Sequence, residues 1–147
     1  MKTVTIALAA AGLVAAAANA PLSAQSSTYT PGTVWQVSSV KVEPGQFENY
    51  MDYLATNWRK QEEFFKKEGQ VVSYHVFAIN NAREGEPDLM LAVEYKDYVP
   101  TATQLALQKK FEAAMAMDTR KMETASGART PMRKLAGSVE LQELKFK

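Results

Sequence analysis

The apolar rhythm of this chain changes at Pro44-Gly45, and that change constrains its fold more than any other feature. Residues 34–42, VWQVSSVKV, are rich in Val and Trp with polar residues interleaved, the pattern of a β-strand. Proline has no N–H for a strand ladder and glycine permits a sharp change of direction, so the pair ends the strand. From Gln46 to Lys67 apolar residues recur at Phe47, Tyr50, Met51, Leu54, Trp58 and Phe65. Their steps of three and four define one face of a helix. Glu62–Lys66 and Glu63–Lys67 read as i,i+4 ion pairs on its solvated side, and Gly69 as its C-cap.

The same reading continues to the C-terminus. VVSYHVFAI (71–79) and LMLAVEY (89–95) are β-branched and aromatic, and the turn-rich NNAREGEPD (80–88) joins them as a hairpin. A second helix is expected from about Thr101 to Thr124, and a bulged final strand over 135–146, LAGSVELQELKF. The order strand, helix, strand, strand, helix, strand predicts an α+β fold of the ferredoxin-like βαββαβ kind. It consists of a four-stranded antiparallel sheet with two helices on one face.

The N-terminus carries an address. Lys2 precedes a charge-free apolar run from Val4 to Ala18, followed by small residues, which is the pattern of a secretory signal peptide. The run falls short of the roughly 20 residues that a membrane span requires. Cleavage after Ala20 would place Pro21 at the new terminus, so cleavage after Ala24, leaving Gln25 first, is favoured. The expected organisation is therefore a signal peptide over 1–24, a flexible polar leader over 25–33 and one domain over 34–147. The mature chain is expected to be periplasmic or secreted. Lys2 is the sole charged residue of 1–24, so its loss leaves basic and acidic residues equal in number. A neutral chain offers no electrostatic footprint for nucleic acid and no attraction to an anionic membrane. With no cysteine, neither disulfides nor a lipid attachment point can form.

The stretch VSSVKVEPGQFENYMDYL (37–54) resembles the opening of dimeric α/β-barrel proteins, the superfamily that includes NIPSNAP-like and antibiotic-biosynthesis-monooxygenase-like families. The likeness covers the mature domain in element order, with Pro44-Gly45 as its one sequence motif. NIPSNAP-like members tend to carry an acid and an arginine on the first strand, roughly where this chain has Gln36 and Ser38. The resemblance implies a homodimer and a pocket between sheet and helices. Composition supports the dimer independently. Both faces of the predicted hairpin are apolar, whereas a sheet with one solvated face alternates. Pairing the hairpin symmetrically about its loop puts Val71, Ser73, His75 and Phe77 on one face. Val72, Tyr74, Val76, Met90 and Ala92 fall on the other, which a second copy would cover.

Chemistry is sparse. His75 is the sole histidine, and without cysteine no metal-ligand set is legible. No cofactor is expected. By analogy with the family, Gln36 and Ser38 face the helices, and the symmetric hairpin places Ser73 and His75 with them. Tyr50, Leu54 and Trp58 close such a pocket from the first helix. Those seven residues are the candidate ligand site, and His75 is the one candidate catalytic base. Two functions stay open: an exported homodimer that binds a small, largely apolar ligand, or a cofactor-free monooxygenase or isomerase using the same pocket.

Overall fold

The computed structural model describes residues 27–147; the expected signal peptide and its cleavage position lie outside the described residues. β1 (Tyr29–Val42) leads into α1 (Phe47–Tyr53), a π-helical turn (Leu54–Trp58) and α2 (Arg59–Lys67). β2 (Val71–Ala78) and β3 (Leu89–Tyr95) form the hairpin, followed by α3 (Thr101–Met115), α4 (Thr119–Gly127) and β4 (Arg133–Phe146). All neighbouring strands are antiparallel, in the order β2-β3-β1-β4, with the helices on one side of the sheet. This is the ferredoxin-like α+β arrangement that the order of elements predicted.

The Pro44-Gly45 pivot is a turn in which Gln46 N–H donates to Glu43 O at 3.0 Å. Pro44 takes the position where a fixed φ suits the turn, and Gly45 has φ +76°. A positive φ at the third residue is the requirement of a type II turn, which glycine meets without strain. The turn delivers α1 onto the sheet. Tyr50 and Leu54, each 2% exposed, pack with Val40, Val42, Leu89 and Leu91. In the π turn, Thr56 Oγ1 donates to Asp52 O at 2.7 Å, diverting a helical carbonyl toward a side chain.

Four boundaries differ from expectation. β1 starts at Tyr29, inside the stretch read as a leader, and pairs there with Leu144 to Phe146 of β4. β3 begins its pairing only at Val34, so Pro31 has no partner on that side for the N–H it lacks. The helix expected over 101–124 is broken: Ala116 adopts a left-handed φ of 52°, and Asp118 caps α4 by accepting from Lys121 N–H at 2.8 Å. β4 starts at Arg133 and is bulged as anticipated, with the register shifting opposite Ser39 and Val40. Gly137, at φ +121°, sits in that bulge.

The fourth difference decides which residues share a face. The hairpin closes one residue earlier than symmetry suggests: Ala78 pairs with Leu89, and Ile79 N–H donates to Asp88 O at 2.8 Å. A one-residue change of register moves every side chain to the other face. Tyr74 and Val76 thus stand opposite Val93 and Leu91, on the helix side. Tyr74 meets Trp58 edge-on with ring centroids 5.5 Å apart, and Val76 packs against the core. Ser73, His75 and Phe77 stand opposite Glu94, Ala92 and Met90, on the open side. The expectation that Ser73 and His75 join Gln36 and Ser38 under the helices is overturned. A second register shift between Val71 and Ser73 returns Val71 to the core side, where it is buried.

Candidate functional site

The seven expected site residues do not converge. Gln36 reaches a cleft between sheet and helices, described below. Ser38 pairs its hydroxyl with that of Ser138 on β4 at 3.4 Å. Tyr50 and Leu54 are core residues. Trp58 lies partly buried against that core and, with Leu54 and His75, borders a shallow depression at the β2 edge. Ser73 and His75 belong to a polar group on the open face. The Ser73 hydroxyl donates to Glu94 Oε2 at 2.6 Å, and His75 Nε2 lies 3.2 Å from the same Ser73 oxygen. Because the hydroxyl proton is committed to Glu94, the imidazole N–H is the donor in the second bond. A serine whose proton goes to the carboxylate, with the imidazole donating to it, is not a nucleophile activated by that histidine. The group is set among apolar neighbours, with the His75 ring stacked against Trp35 and Phe77 at centroid distances of 6.0 and 5.6 Å.

The cleft itself has a volume of about 280 Å³. Val34 and Gln36 of β1 and Tyr95 at the end of β3 form its floor, Phe65 and Gln70 border it at the end of α2, and Gln104, Leu107 and Gln108 form its α3 wall. Asp97, Tyr98 and Val99 from the β3–α3 connection and Glu140 from β4 complete it. The α2 and α3 walls are held together by an aromatic cluster. Phe111 lies 5.3 Å from Phe65 and 5.4 Å from Phe64 between centroids, and Lys110 Nζ bridges to Glu68 Oε2 at 2.6 Å.

Two groups here went unread in the sequence. Glu62, on α2, is 4% exposed, and among the described residues it has neither a hydrogen bond nor an ion pair. The expected Glu62–Lys66 pair is not formed, whereas Glu63 accepts from the Tyr74 hydroxyl at 2.5 Å. Burial pushes the Glu62 carboxyl up to about 7. Its spacing gave the signal. Glu62 lies four residues after Trp58 and three before Phe65, inside the apolar stripe rather than opposite it. Tyr95 is the second group. Its hydroxyl donates to Gln36 Oε1 at 3.5 Å, and burial, reinforced by the charge of Glu62, pushes it up to about 12. Among the described residues no cluster of three or more His, Asp or Glu could hold a metal ion. Nor is any described helix long and apolar enough to cross a membrane.

Fold and cleft define the class: a ferredoxin-like α+β protein with one apolar sheet face open and a mixed polar and aromatic cleft on the other. No protein-family model matches the chain, and no curated protein matches it. Solved structures similar to it include a protein from Shewanella oneidensis, with a TM-score of 0.49 and 11% identity over 80% of this chain and 98% of that one. A dimeric ferredoxin-like protein from Thermobifida fusca matches with a TM-score of 0.40 and 15% identity over 78% of this chain and 92% of that one. A NIPSNAP family protein from Agrobacterium tumefaciens matches with a TM-score of 0.43 and 8% identity over 79% and 90%.

Proposed function

We propose that this chain is an exported homodimer that binds a small molecule in the cleft between β1, β3, α2 and α3. The observation that carries the reading is the cleft's lining: aromatic walls from Phe65, Tyr95 and Tyr98, with the carboxamides of Gln36, Gln104 and Gln108 converging among them. An apolar concavity with a few placed polar groups is the usual form of a small-molecule site. These polar groups make the ligand less apolar than the sequence implied. The open face supports the homodimer. Trp35, Val37, Phe77, Met90, Val139 and Leu141 form one apolar depression there, with Phe77, Val139 and Leu141 more than half exposed. A contiguous apolar patch of this kind marks an interaction surface, and a second copy of the same sheet covers it symmetrically. Export rests on the signal-like pattern of residues 1–24. N-terminal sequencing of native protein starting at Gln25 supports it, and an intact residue 1–24 segment on a cytoplasmic protein sinks it.

The ligand reading is tested by mass spectrometry of molecules retained on the purified protein, followed by their titration against ¹⁵N-labelled protein. Shifts confined to Gln36, Tyr95, Gln104 and their neighbours are expected. Shifts centred on Trp35 and Phe77 instead would overturn the choice of site. A second reading, a cofactor-free isomerase, is favoured by Glu62 alone. A carboxyl that titrates near neutral pH beside the cleft is suited to proton transfer, a role that His75, on the other face, cannot play there.

A further inference from the structure

We infer that the ligand of this cleft is a small protonated amine carrying an aromatic or other apolar body. The inference rests on the small-molecule reading and adds the ligand's charge. Three observations point the same way. First, the lining is one-signed: Asp97 and Glu140 are its charged members, and it contains no lysine, arginine or histidine. Second, two of its four carboxamides, those of Gln104 and Gln108 on the α3 wall, have their acceptor oxygens free, while that of Gln36 already accepts from the Tyr95 hydroxyl. Gln104 Nε2 donates to Val99 O at 3.1 Å, and Gln108 Nε2 donates to Glu112 Oε1 at 3.1 Å. Both partners are pure acceptors, so the amide orientations are fixed by chemistry, and in each case Oε1 is left for an incoming donor. Third, Glu62 is 4% exposed as a residue and makes no hydrogen bond or ion pair among the described residues, while its carboxyl oxygens keep a little solvent contact. It sits one helical turn before Phe65, and its charge acts on Tyr95; both of these residues line the cleft. A buried carboxylate lacking a cation is costly in isolation and is relieved by a cationic ligand nearby. Phe65, Tyr95 and Tyr98 bring aromatic rings to the lining, and such rings attract a cation.

An anionic ligand would meet two carboxylates and no compensating base. A neutral one would leave Glu62 as it is. The titratable groups that line the cleft are Tyr95 from β3, Asp97 and Tyr98 from the connection, and Glu140 from β4; the polar members that β1 and α3 contribute to the lining are glutamines. Glu62 itself has Arg59 and Lys66 one turn away on its own helix, the latter with its ammonium over the Tyr74 ring, and its charge acts on Tyr95 from β3. Burial holds the Glu62 carboxyl up at about 7, so amine affinity strengthens as pH rises from 6 to 8 and Glu62 ionises.

The test uses three matched probes, phenethylamine, 2-phenylethanol and 3-phenylpropionate, titrated into ¹⁵N-labelled protein at pH 8. Phenethylamine should bind in the cleft about tenfold more tightly than either isostere, and Glu62→Gln should remove about that factor while leaving 2-phenylethanol unchanged. Wild-type protein supplies a check that needs no variant: phenethylamine, protonated throughout, should weaken between pH 8 and pH 6 and 2-phenylethanol should not. Cleft binding of the alcohol or the acid as tight as that of the amine overturns the charge assignment while upholding the site. If none of the three perturbs the cleft, both the charge assignment and the small-molecule reading fall.

Discussion

Ser73 stands opposite Glu94 across the β2–β3 ladder, its hydroxyl 2.6 Å from Oε2. That pairing fixes the identity of the open sheet face, because Phe77 and Met90 follow it onto the same side and Tyr74 does not. The polar cluster of Ser73, His75 and Glu94 interrupts a largely apolar surface, and it is internally hydrogen-bonded, so a partner subunit can cover it without stranding the serine's donor.

The first prediction concerns assembly. Val37 sits in the middle of the open face, between Ala92 on β3 and Val139 on β4. Val37→Glu places a carboxylate at the centre of the proposed seam, where burying an unpaired charge costs several kcal/mol. Sedimentation velocity should show wild-type dimer and variant monomer at micromolar concentration. A wild-type monomer under those conditions removes the dimer proposal. Tyr74→Glu, by contrast, strikes the helix side, where Tyr74 contacts Trp58 and Glu63, and should lower stability without acting through the seam.

His75 provides the second prediction. Its ring stacks between Trp35 and Phe77 on the open face, away from the cleft. His75→Ala should weaken the dimer roughly tenfold, as the loss of one buried aromatic contact and hydrogen bond implies. Ligand affinity in the cleft should stay within about twofold of wild type, since single changes distant from a site leave its energetics nearly unaltered. Loss of cleft binding with an intact dimer would restore His75 to the ligand site.

The sequence made the elements legible and left their facing obscure. β3 was readable to the residue, because LMLAVEY is bounded by turn-rich segments on both sides. The Pro44-Gly45 turn was readable because only a few backbone conformations accept that dipeptide. The partition of faces was not, since it depends on whether the loop closes at Ala78 or Ile79, and nothing in NNAREGEPD decides this. Asp88 helps to settle it in the folded chain, where its carboxylate accepts from Val42 N–H at 2.8 Å and Lys41 Nζ at 2.9 Å. These contacts are 46 and 47 residues distant, beyond the reach of local pattern. Of the expected residues Gln36 is the one that lines the cleft, through its place on the helix-facing side of β1. Glu62 was missed because the i,i+4 pattern with Lys66 was read ahead of its place in the apolar stripe between Trp58 and Phe65.

Gly45 supports the third prediction. A Cβ there meets no atom within 4 Å, so any cost of Gly45→Ala comes from φ +76° and not from a clash. Forcing alanine into the left-handed region costs about 1 kcal/mol. Urea denaturation should show that loss with an unchanged m-value. Equal stability would mean that the turn re-forms with another geometry and that the delivery of α1 onto the sheet does not depend on it.

The last prediction joins stability to function through Glu62. Its folded-state value of about 7 lies above the ordinary 4.5 because burial disfavours the carboxylate. Between those two values the folded protein retains a proton that the unfolded chain has released. Stability of the ligand-free protein therefore falls as pH rises from 4.5 to 7 and levels off above, the reverse of a salt-bridged carboxylate. The full difference is about 3 kcal/mol, because each tenfold gain in proton affinity on folding is worth about 1.4 kcal/mol. Glu62→Gln carries no ionisable group and should abolish that slope, leaving the variant more stable than wild type at pH 8. If Glu62 were merely a misplaced surface acid, the two proteins would show parallel pH profiles. If it holds a cationic ligand, the more stable variant is also the weaker binder, and adding phenethylamine should narrow the stability gap by raising the melting temperature of the wild type more than that of the variant.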